Sequence, residues 1–117
     1  MRQLALFTMS WGVFSPIAEE VFFRGFVYGA LRRQMRAPLA VPASAAIFAL
    51  FHWPHPEPMV AAFVLGTVVA VVYEYSGSLL APIMTHMGLN LVFVLGTANH
   101  GELARAIPPW ILMAAAV

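Results

Sequence analysis

Pro16-Ile17-Ala18-Glu19-Glu20-Val21-Phe22-Phe23-Arg24-Gly25 decides how this chain is read. Two adjacent carboxylates and an arginine stand inside a run otherwise built of apolar side chains. The flanking segments are too greasy for a solvated helix face, so these charges fall where charge is expensive. A charged group in a membrane span is costly unless it is paired or reached by water, and is retained mainly where it has a function.

The rest of the composition supports that setting. Of 117 residues, 62% are hydrophobic and 9% charged, and the mean hydropathy is +0.83. A soluble domain carries about 25% charged residues. The deficit predicts an all-α, polytopic membrane bundle. A net charge of +1 and the lack of a basic stripe exclude a nucleic-acid binder. The chain has no Cys, which removes thiol nucleophiles, disulfides and thiolate metal sites. It has no Asp and no Lys either, so an aspartyl dyad and a serine–lysine dyad are both impossible. Met1-Arg2 before the apolar run Leu4 to Phe14 imitates a signal peptide. Cleavage after Ala18, however, would strip the hydrophobic support from the charged motif.

Outward from the motif, Gly, Pro and polar clusters divide the chain into four or five helical segments. The first runs from about Leu4 to Met35, with a kink or restart at Ser15-Pro16. Gly25 and Gly29 form a G-x-x-x-G pair that would admit a neighbouring helix. The second, Val41 to Trp53, opens at Pro42 and closes at Pro54. Its length falls short of the roughly 20 residues of a full span, so it is expected to be short or re-entrant. The third is Met59 to Tyr75 and the fourth Leu79 to Gly96. A polar loop from Thr97 to Arg105 precedes a final apolar run from Pro108. The chain reads as a single membrane-embedded domain, residues 1–117, with the motif-bearing part at about 15–96 and both ends cut from something longer.

Arg32, Arg33 and Arg36 form the positive cluster that marks the cytoplasmic side. At 1.5 Å per residue, Glu19 lies roughly 20 Å from Arg33, and His52 roughly 20 Å along the second segment. The third segment returns to the same side, placing His86 about 12 Å and Asn90 about 18 Å back in. Polar residues from three segments thus share a depth.

Glu20 and Arg24 stand i,i+4 with the acid first, the favourable order for a helical ion pair. Spacing gives Glu19 no i,i+4 cation of its own, which points to it as the acid that acts as a general base. His52 could join it in orienting and deprotonating water. His86 and Asn90, also i,i+4, could donate to a developing oxyanion. Glu19, His52 and His86 are equally a possible ligand set for a zinc-like divalent ion, and the sequence leaves metal-bound and metal-free chemistry both open. A structural polar knot would account for the same residues, but two acids against one arginine leave a residual charge that a knot has no reason to keep. Glu57, His55, His100 and Glu102 fall in connections and read as solvated, as does Glu74 at a helix end.

Three motifs in order, Glu19-Glu20-Val21-Phe22-Phe23-Arg24-Gly25, Phe48-Ala49-Leu50-Phe51-His52 and His86 through Asn90, resemble the CAAX prenyl protease and bacteriocin-processing (CPBP, or ABI) family of intramembrane proteases. The resemblance covers roughly residues 15 to 96. It implies an all-α membrane endopeptidase acting on a peptide or protein substrate; six Arg with no Lys, a sign of a GC-rich genome, point to a prokaryotic plasma (inner) membrane. By the same resemblance Glu19 activates water with His52, Glu20 and Arg24 organise the site, and His86 and Asn90 form the oxyanion hole. Other intramembrane protease classes lack their motifs here: there is no H-E-x-x-H and no Asp. Glu74-Tyr75-Ser76-Gly77 has Glu where a rhomboid-type G-x-S-G needs Gly. The non-enzymatic alternative is a membrane immunity or scaffold protein that binds a bacteriocin or a partner helix. A further alternative is a cofactor protein with His52 and His86 as axial ligands.

Overall fold

A computed structural model of the chain describes residues 9–98, which form four helices joined by short connections. Helix α1 covers residues 10–32, α2 Ala37–Leu50, α3 Pro56–Ser76 and α4 Leu80–Ala98. No strand occurs among the described residues. The start of the first segment, the loop beyond Ala98 and the final apolar run lie outside them.

Helix α1 keeps going through Ser15-Pro16. Wider π-helical turns, Ser10–Phe14 and Val21–Tyr28, flank the α-helical stretch Ser15–Glu20. Pro16 has no N–H to give to a carbonyl of the preceding turn, and the wide register of that turn, with Ser15 N–H on Ser10 O, accommodates it without a break.

Helix α2 differs from the sequence expectation at both ends. It opens at Ala37 because Pro38 occupies the first turn, where a proline costs no hydrogen bond, and Pro42 lies inside it. It closes at Leu50, before His52. Pro54 cannot donate to Leu50 O, so the chain tightens into successive i→i+3 bonds. Phe51 N–H reaches Phe48 O, His52 N–H reaches Ala49 O and Trp53 N–H reaches Leu50 O. His52 therefore sits on a turn beyond the helix end. The 14-residue α2 is the short segment, about 21 Å long.

Helix α3 starts at Pro56, three residues earlier than expected, and stops at Gly77. Gly77 takes the left-handed conformation (φ +61°), and its N–H caps Tyr73 O at 2.9 Å. Its 21 residues span about 32 Å, enough to cross a hydrocarbon core. Among the described residues it is the one helix both long and apolar enough to do so; Ala37–Leu50 and Leu80–Val94 are shorter apolar helices.

The chain divides into two compact units, Ile17–His86 and Met1–Pro16 with Met87–Val117. In the first, Phe23, Phe48, Ala49 and Ala62 form one buried cluster. Tyr28, Ala40 and Ala70 form another, covered by Leu31, Met35, Val41 and Tyr73. The close approach of helices falls at Gly66, not at the expected G-x-x-x-G. A Cβ on Gly66 would lie 3.2 Å from Ala45 Cα, whereas one on Gly29 would meet nothing within 4 Å and one on Gly25 only Leu79 Cδ2 at 4.0 Å. Val69 and Ala70 are fully buried, yet Phe26, Leu39, Phe51 and Trp53 are more than 60% exposed while Glu20, Arg24 and His86 are buried. Large apolar groups outside and charges inside suit a lipid surround.

Glu74 is not simply solvated. Arg32 grips its carboxylate in a two-pronged pair, Nε to Oε2 and Nη2 to Oε1 both at 3.0 Å, and Tyr28 OH donates to Oε2 at 2.6 Å. This clamp ties the last turn of α1 to the last turns of α3. In the second unit, Trp11 and Phe93 pack with ring centroids 5.8 Å apart.

Candidate active site

The unit Ile17–His86 contains Glu19, Glu20, Arg24, His52 and His86. Arg24 pairs with Glu20, Nε to Oε2 at 3.1 Å, one turn apart on α1. Both side chains are almost completely buried. The contact is close enough for an ion pair, but its N–H is not aimed well enough to count as a hydrogen bond. Arg24 compensates elsewhere. Its Nη2 donates to Gly66 O on α3 at 2.9 Å, and its guanidinium lies over the Phe48 ring, 5.1 Å from the centroid. Arg24 Nη1 is buried with no hydrogen-bond partner among the described residues.

His86, on α4, stands between the two glutamates. Its Nδ1–H donates to Glu20 Oε1 at 2.8 Å. Its Nε2 lies 3.9 Å from Glu19 Oε2, too far for a direct hydrogen bond. The adjacent acids thus occupy opposite environments. Glu20 is sealed between Arg24 and His86, whereas the Glu19 side chain is 30% exposed. Burial and pairing fix the Glu20 geometry; exposure leaves Glu19 able to meet water.

His52 reaches the same neighbourhood by another route. Its Nδ1–H donates to Phe48 O at 3.2 Å, which leaves Nε2 as the lone-pair nitrogen of the neutral ring. Phe48 packs edge-on against both histidines, with centroids 5.3 Å from His52 and 6.0 Å from His86. One buried aromatic ring therefore touches Arg24 and both imidazoles.

Asn90 falls in the other unit, four residues after His86 in the sequence. Its Nδ2 donates to Trp11 O at 3.2 Å. Trp11 O is the carbonyl that residue 16 would reach in the wide helical register, and Pro16 has no N–H to send there.

Among the described residues, no three His, Cys, Asp or Glu side chains gather in a way that would hold a metal ion. Of the ligand set read from the sequence, Glu19 and His86 face each other, and Phe48 is in ring contact with both His86 and His52.

Sequence reasoning missed two participants. Phe48 is legible only as a motif position sharing a helix face with His52, and its contacts to Arg24 and His86 depend on α1, α2 and α4 converging on it. The Gly66 carbonyl has no side-chain signature at all; a glycine in the middle of a Val/Ala-rich helix was its one trace.

Residues 1–92 match the family described as Rce1-like, type II CAAX prenyl endopeptidase Rce1-like. The chain belongs to that family. No curated protein and no solved structure matches it. Membership of the Rce1-like family makes it a member of a group of membrane-embedded CAAX-type proteases, in agreement with the resemblance drawn from its three motifs.

Proposed function

We propose that the chain is an intramembrane endopeptidase, part of a polytopic bundle in a prokaryotic inner membrane, and that Glu19 deprotonates the water that attacks the scissile carbonyl. The observation that carries this reading is the contrast between the two acids: Glu20 buried between Arg24 and His86, Glu19 partly exposed and facing an imidazole.

In this reading Glu20, braced by Arg24, orients His86 through Nδ1 and so aims Nε2 at Glu19. Water oxygen bonds to the carbonyl carbon while its proton goes to Glu19. His52 Nε2 accepts the second water proton as a hydrogen bond and fixes the angle of attack. A side-chain rotation of Glu19 closes the 3.9 Å gap and hands its proton to His86 Nε2. The resulting imidazolium donates first to the oxyanion and then to the leaving nitrogen as the C–N bond breaks. The substrate is a CAAX-type or leader-type peptide presented at the membrane.

Peptide cleavage in liposomes by wild type, Glu19→Ala, His52→Ala and His86→Ala tests the reading. Loss of a general base costs about 10²-fold or more, so each variant should fall at least that far while remaining folded. Wild-type rates in Glu19→Ala would end it. A chelator should leave the wild-type rate unchanged; inhibition reversed by zinc would replace the carboxylate base by a metal-bound water.

A further inference from the structure

A second polar feature lies away from the proposed catalytic residues. A cleft of about 350 Å³ opens where the last turns of α1 and α3 meet. Its walls include Arg32, Arg33, Tyr73 and Glu74, and two glycines, Gly29 and Gly77, line it without side chains. Gly77 is accounted for by its left-handed backbone. Gly29 has neither a positive φ nor a helix packed against it, and a Cβ there would project into open space. What glycine contributes at position 29 is room.

The charge of the cleft follows from its pairings. Arg32 and Glu74 neutralise each other, and the remaining Arg32 nitrogen, Nη1, donates to Met35 O. The Arg33 guanidinium makes no hydrogen bond or ion pair among the described residues. The cleft therefore carries one uncommitted positive charge. It sits at the end of α1, beside the exposed arginine cluster, where a membrane-embedded chain meets water. Phe26, three residues before Gly29 and seven before Arg33, is 69% exposed on α1 and offers an apolar surface at helical spacing from both.

We propose that this cleft binds the phosphodiester headgroup of an anionic phospholipid, with Arg33 as its cation, the space above Gly29 as its seat and the face around Phe26 as the track for an acyl chain. A phosphodiester carries the single negative charge that Arg33 leaves unmatched, and planar guanidinium recognition of phosphate is bidentate. The apolar track distinguishes a lipid from a soluble anion. This site is independent of the proteolytic reading.

The test uses the purified chain in neutral detergent, with lipid retention followed by native mass spectrometry and thermal stability measured in parallel. The probes are phosphatidylglycerol, phosphatidylcholine and inorganic phosphate. Phosphatidylglycerol should bind and raise the unfolding temperature, and the other two should not. Gly29→Leu, which fills the cleft, and Arg33→Gln should each weaken the phosphatidylglycerol response about tenfold, the size of one lost charge-assisted contact, without lowering the lipid-free unfolding temperature. Arg36→Gln removes an exposed cation that does not line the cleft and should respond like wild type. The proposal falls if Gly29→Leu still responds fully, if Arg36→Gln loses as much as Arg33→Gln, or if inorganic phosphate or phosphatidylcholine acts as well as phosphatidylglycerol.

Discussion

Replacing Gly66 with alanine adds one methyl group where α2 and α3 approach closely, and its effect follows from the contacts. The new Cβ would lie 3.1 Å from Phe48 Cδ1, 3.2 Å from Ala45 Cα and 3.4 Å from Ala45 Cβ. The Ala45 contacts involve backbone and a short side chain, so no flexible tip can swing aside. Overpacking of this kind costs about 1–3 kcal/mol. Alanine in a helix interior recovers about 1 kcal/mol relative to glycine. The net effect is a loss of about 0–2 kcal/mol. Gly29→Ala supplies the matched control, because its methyl group enters open space and only the helix gain of about 1 kcal/mol remains. The two alanines should therefore shift stability in opposite directions, separated by about 1–3 kcal/mol, in thermal or denaturant unfolding in detergent micelles. Gly66→Ala has a second consequence. The ring it pushes is Phe48, which packs on Arg24, His52 and His86, and Gly66 O is the acceptor for Arg24. Peptide cleavage should fall severalfold in Gly66→Ala and stay unchanged in Gly29→Ala. Equal stabilisation by both alanines would mean that α2 and α3 pack loosely at Gly66.

Glu20→Ala leaves Arg24 buried and unpaired, a change expected to cost about 3–5 kcal/mol, whereas Glu19→Ala removes a partly exposed acid and should leave unfolding nearly unaltered. A double variant, Glu20→Leu with Arg24→Met, should regain much of the lost stability while remaining inactive; no recovery would mean that the pair is not the source of the loss. Phe48→Leu and Phe23→Leu delete rings from the same buried cluster, but the ring contacts of Phe23 among the described residues are to Phe22, Phe48 and Phe51, while Phe48 touches the arginine and both histidines. Both should lower stability to a similar degree, and Phe48→Leu should additionally lower kcat about tenfold or more with KM little changed. Equal kcat in the two variants would reduce Phe48 to packing.

The sequence alone determined the helical class, because apolar runs punctuated by Gly and Pro admit little else in a chain with so few charges. It also determined that Glu20 belongs with Arg24, since i,i+4 spacing is a property of a single helix and needs no tertiary contact. Gly77 as a helix stop and the short second helix were legible for the same local reason. The end of α2 was not legible, because the apolar run continues through Trp53 while Pro54, unable to donate to Leu50 O, ends the helix at Leu50. Other features arise only when helices meet. Glu74 looked like a solvated helix-end acid until Arg32 and Tyr28 closed on it from 42 and 46 residues away. The G-x-x-x-G pair at Gly25 and Gly29 looked like a packing face, yet the tight contact fell to Gly66 because α2 lies against α3 there. The division between Glu19 and Glu20 combines both levels. Spacing named the paired acid, and only the fold placed His86 between the two, sealing Glu20 and leaving Glu19 partly open, because burial is set by neighbours from other helices and not by the residue itself.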